Sequence, residues 1–128
     1  MSKDTLNNEG LNAAQKAKIV YEALDAKKAS DIKIIDIRGI TPVADYFVIA
    51  STSNDNQLNA CLEEVERVLS EEGIKTPKPE GRRGSGWILL DCSDVIVHIF
   101  LTEDREFYNI ERIWADGKDI SLDNLTKS

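Results

Sequence analysis

The sequence predicts a single α/β domain in which a mixed β-sheet of four or more strands is flanked by helices. Three observations support this fold class. The chain has 128 residues, enough for one domain with a sizeable core but not for two. Its hydrophobic pattern gives the order helix, strand, strand, helix, strand, strand, helix, without an internal repeat or a dividing linker. The stretch 86–100 holds a strand that is largely apolar on both faces, as expected inside a covered sheet.

The first predicted helix follows Asn12, which can act as an N-cap with Gln15 at the capping-box position. The helix is expected to run to about Lys28. Apolar residues recur at helical spacing and would face the core: Ala13, Ala17, Val20, Ala23 and Leu24. The remaining positions predict a solvated outer face with Lys16, Lys18 and Glu22.

Two strands are predicted next. The first is rich in β-branched residues and ends at Gly39, with Ile32, Ile34, Ile35 and Ile37. The pair Thr41-Pro42 interrupts the pattern because proline has no backbone N–H and restricts the residue before it. The second strand is expected from Asp45 to Ser51.

The polar turn 52–55 is rich in N-cap residues and precedes the clearest helix of the chain. One stripe of this helix is apolar and consists of Leu58, Cys61, Leu62, Val65, Val68 and Leu69. Gly73 is the expected C-terminal stop. The following segment, 75–86, contains two prolines and three glycines and is predicted to be a loop.

The central pair of strands is predicted over Trp87–Leu90 and Val95–Phe100, joined by a tight turn through residues 91–94. A last helix is expected to begin near Thr102, with Phe107, Ile110, Ile113 and Trp114 on or near one side. Residues 1–10 are predicted as a flexible N-terminus, 11–117 as the folded domain and 118–128 as a polar, mobile C-terminal tail.

Composition limits the classes of partner. The formal net charge is −7 and the isoelectric point is near 4.7, so little direct nucleic-acid binding is expected and a basic protein is favoured. No apolar run reaches the roughly 20 residues that cross a bilayer, and the polar start resembles neither a secretory signal nor a transit peptide. The two cysteines, Cys61 and Cys92, are expected to be reduced thiols. These features predict a cytoplasmic protein without membrane contact.

The sequence offers little catalytic equipment. The glycine-rich loop 81–86 precedes a strand rather than a helix and lacks a Gly-Lys-Ser/Thr motif, which argues against a phosphate cradle. A carboxylate metal site could be imagined from Asp36, Asp45, Asp91 and Asp94. No Asp-x-Asp or Asp-x-Glu pair falls where the strands lie, and Asp91 and Asp94 are better explained as turn residues.

The histidine and cysteine residues do not predict a catalytic or metal-binding site either. His98 is the only histidine, so a histidine-based metal site cannot form, and we expect it to make one hydrogen bond on a covered strand. Cys92 lies beside two carboxylates, which would raise the pKa of its thiol and weaken it as a nucleophile. We therefore predict no catalytic residue, no metal ligand and no cofactor, and hence a protein that is not an enzyme.

Four large side chains near loops remain, namely Trp87, Phe107, Tyr108 and Trp114. Trp and Tyr dominate interface hot spots, where each contributes roughly 2 kcal/mol or more. Burial in the core is the alternative for all four, and it weighs more for Phe107 and Trp114 than for the other two. Trp87 is the first candidate for a partner contact because it sits at the mouth of the glycine-rich loop.

Three motifs together resemble the ribosomal silencing factor family, RsfS, also called the Iojap-like family. They are GWILLDCSDVIVHIF (86–100), REFYNIERIWAD (105–116) and ADYFVIASTSNDNQ (44–57). The resemblance implies a nucleotidyltransferase-like fold without the active site. It also implies binding to the L-fourteen protein of the large ribosomal subunit, which sterically blocks association with the small subunit and represses translation under nutrient limitation. Organellar relatives imply an alternative role in large-subunit assembly, and the fold leaves a residual nucleotidyltransferase as a further alternative.

Carried over by motif position, the resemblance implies a set of partner-binding residues: Trp87, Asp91, Asp94, Glu103, Tyr108 and Glu111. Some relatives are dimers, so a homodimer of the free protein is a further expectation. The family often has an aromatic residue or leucine followed by glycine between the two turn aspartates, where this chain has Cys92-Ser93. This departure leaves the backbone shape of the turn open.

Overall fold

The computed structural model describes residues 12–75, 79–81, 86–108 and 118–120, and it describes the side chains of all of these except 106–108 and 118–120. Within these residues the helices and strands follow the predicted order, with one additional strand at the end. They are α1 (Ala13–Ala26), β1 (Ser30–Asp36), β2 (Tyr46–Thr52), α2 (Asp55–Glu71), β3 (Trp87–Asp91), β4 (Val95–Leu101), α3 (Thr102–Tyr108) and β5 (Lys118–Ile120).

The sheet has the strand order β3-β4-β2-β1-β5. β2 and β4 are parallel, whereas the other neighbouring pairs are antiparallel. The mixed sheet with flanking helices confirms the predicted fold class. The parallel pair requires a long crossover, which α2 supplies between β2 and the β3–β4 hairpin.

The fifth strand lies in the segment predicted to be a mobile tail. Residues Lys118–Ile120 pair with Ile34, Ile35 and Asp36 of β1 along the edge of the sheet. A strand of three residues has too weak a hydrophobic pattern to be recognised, and its pairing depends on an edge formed by residues more than 80 positions earlier. The expected polar tail therefore starts with a paired strand.

The capping-box prediction for α1 is confirmed. The side-chain oxygen of Asn12 accepts the Gln15 backbone N–H at 2.8 Å, and the Gln15 side chain accepts the Asn12 N–H at 3.0 Å. The helix ends at Ala26, two residues before the expected Lys28. Gly73 follows α2 in the left-handed region at φ +79°, as predicted for a helix stop.

Both faces of the sheet are buried. α1 and α2 cover one face, where Val48, Ala50, Val97 and Ile99 pack against Ala17, Val20, Leu58 and Val65. The other face carries a second core cluster made of Ile35, Ile37, Ala44, Phe47, Ile49, Ile96 and Phe100. Six consecutive residues of β4, Val95–Phe100, are buried, which confirms the prediction of a strand covered on each side.

The prediction that Lys16 lies on the solvated face of α1 was wrong. Lys16 is only 9% exposed. Its ammonium group donates to Asp94 Oδ1 at 2.6 Å and to the Cys92 carbonyl at 3.1 Å. A lysine can bury its aliphatic stem and still carry its charge to a partner at the end of a sheet, an arrangement that helical spacing cannot predict.

Among the described helices, none is long and apolar enough to cross a membrane. The side chain of Phe107, and the whole of Ile110, Ile113 and Trp114, lie outside the described residues.

Candidate partner-binding surface

Trp87 is the first residue of β3, which forms one edge of the sheet. Antiparallel pairing places it opposite Phe100 of β4, so both rings lie on the sheet face that α1 and α2 do not cover. The two rings stack with their centroids 5.3 Å apart and an interplanar angle of 19°. Trp87 is partly buried, as predicted for a residue at the mouth of the loop.

His98 lies two residues before Phe100 on the same face of β4 and holds the indole of Trp87. The Trp87 Nε1–H donates to His98 Nδ1 at 3.2 Å. The imidazole is only 2% exposed, and it meets the Phe47 ring edge-on at a centroid distance of 4.7 Å. We call Trp87, His98, Phe100 and Phe47 the indole cluster. The prediction that His98 makes a hydrogen bond on a covered strand is confirmed.

The hydrogen bond defines the protonation of His98. Nδ1 acts as an acceptor, so the neutral ring carries its proton on Nε2. Nε2 is buried and finds no hydrogen-bond partner among the residues that the structure describes. Burial lowers the pKa of His98 to about 4, because a charged imidazolium would lose its hydration. The ring is therefore neutral at physiological pH and remains an acceptor for the indole.

The contact between His98 and Trp87 was missed from the sequence, although the strand pattern contains a signal for it. The two-residue turn at Ser93 and Asp94, closed by the bond from the Cys92 N–H to the Val95 carbonyl, places Leu89 opposite His98 and Trp87 opposite Phe100. Trp87 is then a diagonal neighbour of His98, within reach of a long aromatic side chain. Reading the register from the turn outward would have paired the only histidine with the candidate anchor.

The backbone before Trp87 is held closely. Gly86 has φ +78° and is buried against the Asp104 carboxylate, which a Cβ at this position would overlap. The Leu101 N–H donates to the Gly86 carbonyl at 2.8 Å, so the start of α3 lies beside the start of β3. Glu103, in the first turn of α3, is exposed at this end of the hairpin. The structure thus brings Glu103 and Trp87 to the same end.

Asp91 and Asp94 lie at the opposite end of the hairpin. Asp91 lies four positions after Trp87 along β3, or roughly 13 Å away. Asp91 is exposed, and its Oδ1 accepts the Ser93 N–H at 2.9 Å, as predicted for a turn residue. Asp94 is instead half-buried in the ion pair with Lys16. The four candidates whose side chains are described therefore form two groups, Trp87 with Glu103 and Asp91 with Asp94, at opposite ends of the hairpin.

The side chains of the last two candidates for partner binding, Tyr108 and Glu111, are not described by the structure. Tyr108 is the final residue of α3, and its side chain lies outside the described residues. Glu111 lies wholly outside them. The roles of both residues in partner binding stay predictions.

The structure shows the shape of the Cys92-Ser93 turn. Ser93 adopts φ +71°, which lies in the left-handed region that glycine favours. Cys92 is only 4% exposed. Burial, with a smaller effect of Asp91 and Asp94, raises the pKa of its thiol to about 11, the direction predicted from the sequence. Position 92 contributes to the core rather than to the surface.

Three of the four carboxylates considered as metal ligands make local contacts within the protein. Asp36 forms a two-pronged ion pair with Arg38, at 3.0 Å from Nε and 2.7 Å from Nη2. Asp91 caps its turn and Asp94 binds Lys16. Within the described ranges no three His, Cys, Asp or Glu side chains are grouped so that they could hold a metal ion.

These features define a small α/β domain whose candidate site is an aromatic surface at a sheet edge, of the kind that binds protein partners. The chain matches the RsfS family model, described as ribosomal silencing factor during starvation, over residues 11–128. It therefore belongs to the ribosomal silencing factor family, and the resemblance noted from its motifs is confirmed.

Relatives support the same assignment. The chain is 39% identical over 113 residues to the ribosomal silencing factor RsfS of Bacillus subtilis, covering 88% of this chain and 96% of that protein. A crystal structure of a Chromobacterium violaceum protein superposes with a TM-score of 0.79 at 30% identity, covering 87% of this chain and 92% of the other. A mouse protein named for mitochondrial assembly of the ribosomal large subunit is 28% identical over 100 residues, covering 76% of this chain and 44% of that protein.

Proposed function

We propose that this protein silences translation by binding the L-fourteen protein of the large ribosomal subunit and blocking association with the small subunit when nutrients are limiting. Membership of the ribosomal silencing factor family carries the general role. The observation that supports a direct protein contact is the partly exposed indole of Trp87, held at a sheet edge over buried rings. A rigid aromatic side chain of this kind is a typical interface anchor.

Charge favours such a partner. The net charge of −7 would attract a basic ribosomal protein and repel the phosphates of ribosomal RNA. Glu103 places an exposed carboxylate at the same end of the β3–β4 hairpin as Trp87. The proposed interface thus combines an apolar anchor with an acidic rim, which suits a protein surface rich in Lys and Arg.

The proposed mechanism is occlusion without catalysis. A domain of 128 residues that docks on the face where the subunits join would occupy space that the small subunit needs. An interface of about 800 Å² per partner is enough for stable docking. Neither a cofactor nor a metal ion takes part in this mechanism. A homodimer of the free protein and a cytoplasmic location stay predictions that go with it.

Replacement of Trp87 by alanine tests the proposal. Adding the wild-type protein to ribosomal subunits should increase the free-subunit fraction in sucrose gradients. Trp87→Ala should weaken binding to the purified L-fourteen protein by about 2 kcal/mol, or roughly 30-fold in Kd. Val43→Ala is the matched control because Val43 is apolar and 61% exposed, in the β1–β2 connection at the other end of the sheet.

Thermal unfolding of both variants separates lost binding from lost folding. A folded Trp87→Ala variant that binds like the wild type would remove the indole from the interface. A wild-type protein that leaves the gradient profile unchanged would contradict the silencing mechanism itself.

A role in assembling the large subunit is a second candidate, favoured by the name of the mouse relative. It would use the same surface on a precursor particle. A deletion strain distinguishes the two roles, since an assembly factor predicts accumulation of large-subunit precursors during growth in rich medium. A silencing factor predicts normal particles and a defect only when nutrients run short.

A further inference from the structure

We infer that His98 is a positioning residue for the partner-binding surface, because it fixes the orientation of the Trp87 indole and turns its N–H away from the partner. This inference rests on the proposed function. The bond from Trp87 Nε1 to His98 Nδ1 is 3.2 Å long, and the imidazole that accepts it is 2% exposed. The polar edge of the indole therefore points into the protein, and the exposed part of the ring is carbon.

The chemistry of His98 supports this role. β4 is otherwise apolar over Val95–Leu101, and a phenylalanine or leucine could fill the same place without carrying polar atoms into the core. His98 instead buries an Nε2 for which the described part of the chain offers no hydrogen-bond partner. Within the described ranges, the imidazole makes one hydrogen bond, which it accepts from Trp87. Holding the indole thus accounts for a buried polar residue that packing does not require.

Contacts among the described residues orient the indole before any partner arrives. Phe100 stacks against one face of the ring, His98 binds its N–H, and Phe47 packs edge-on against His98 from β2. Fixing a side chain in advance removes part of the entropy that binding would otherwise cost. Losing the His98 contact should therefore weaken partner binding by about three- to tenfold, even when the stack on Phe100 remains.

The same geometry specifies the pocket that receives Trp87. Since the N–H is already satisfied inside the protein, the partner needs no acceptor for it. The receiving surface on the L-fourteen protein should be apolar where it meets the ring, with its basic groups at the rim. This distinguishes Trp87 from an anchor that docks through its N–H.

Two substitutions of His98 test the inference. His98→Phe keeps an aromatic ring of similar size but removes the acceptor, whereas His98→Asn places an oxygen near the position of Nδ1. We expect His98→Phe to weaken binding to the purified L-fourteen protein about three- to tenfold and His98→Asn to restore part of the loss. The Trp87 indole resonance in ¹H–¹⁵N spectra of the free protein should move, and its hydrogen exchange should accelerate, only in His98→Phe.

A variant of Trp87 covers the case in which His98→Phe fails to fold. Trp87→Phe keeps an aromatic ring over Phe100 but removes the donor, and it should weaken binding by a similar factor. Where His98→Phe does fold, it should have no further effect on binding in the Trp87→Phe background, because the bond that it removes is already absent.

Specific results would overturn the inference. An unchanged indole resonance in His98→Phe would show that the bond does not hold the ring, and a moved resonance with unchanged affinity would show that the orientation is irrelevant to binding. If the wild-type protein binds neither the L-fourteen protein nor large subunits, the proposed function fails first. If the wild type binds and His98→Phe binds equally well, only the positioning role fails.

Discussion

Ser93 occupies a backbone conformation that costs an ordinary residue free energy. Its φ of +71° lies in the left-handed region, where a Cβ crowds the following carbonyl oxygen. Ser93→Gly should therefore stabilise the protein by about 0.5–1 kcal/mol in urea unfolding, the relief of strain exceeding the added flexibility of the unfolded chain. The Asp91 bond to the backbone N–H of residue 93 is kept in the variant.

Ser70→Gly is the matched control for this substitution. Ser70 is exposed within α2, where helical backbone gives glycine no advantage, and the change should cost about 0.5 kcal/mol. Stabilisation by glycine at both positions would mean that strain at Ser93 is not the cause.

His98 should make stability depend on pH in a defined window. Its pKa is near 6.5 when unfolded and about 4 when folded, so between these values the unfolded chain binds more protons. The contribution of neutral His98 is complete above pH 6.5, falls as the pH drops towards 4, and changes no further below that. The total loss should be about 3 kcal/mol at most.

Urea unfolding of the wild type and of His98→Phe at pH values from 4 to 7.5 measures this effect. Carboxylates also titrate near pH 4, but they are common to both proteins and cancel in the difference. The unfolding free energy of the wild type minus that of His98→Phe should decrease by up to about 3 kcal/mol as the pH falls from 7.5 to 4. A constant difference would show that the imidazole is not held neutral by the fold.

At the scale of elements, two helices end in the same way with different residues. After α1, Lys28 N–H donates to Asp25 and Ala29 N–H to Leu24; after α2, Gly73 N–H donates to Ser70 and Ile74 N–H to Leu69. Both patterns are Schellman motifs. The left-handed position is filled by Lys28 at φ +63° in one and by Gly73 at φ +79° in the other.

The two Schellman motifs predict that glycine and lysine at the left-handed position have opposite effects on stability. Lys28→Gly should stabilise the protein by about 0.5–1 kcal/mol, and Gly73→Lys should destabilise it by about 1 kcal/mol. A Cβ at residue 73 would meet no atom within 4 Å, so the cost is conformational rather than steric. Urea midpoints measure both changes, and a neutral Gly73→Lys would show that the second motif tolerates any residue.

The elements that could be predicted from the sequence are those with local signals. The capping box at Asn12, the stripe of α2 and the apolar run of β4 each depend on residues close together in the chain, and each was placed to within a few residues. β5 and the buried Lys16 could not be predicted, because their partners are distant strands and turns. The candidate site likewise has one part that the sequence could predict and one part that it could not. Trp87 was recognisable from its type and loop position, whereas its bond to His98 required the strand register.

At the scale of the whole molecule, charge should govern how fast the partner is found. Opposite charges steer encounter, and exposed pairs are screened over about 10 Å at 0.1 M salt. Because Glu103 is exposed at the same end as Trp87, Glu103→Gln should slow association with the L-fourteen protein about two- to fivefold at low salt and leave dissociation nearly unchanged. Glu63→Gln on the outer face of α2 removes the same charge from the side of the sheet opposite to Trp87 and should have a smaller effect. Stopped-flow rates at 50 and 200 mM salt measure both, and the two variants should converge as salt rises. Equal slowing by both would mean that net charge, rather than an acidic rim beside the indole, guides the encounter.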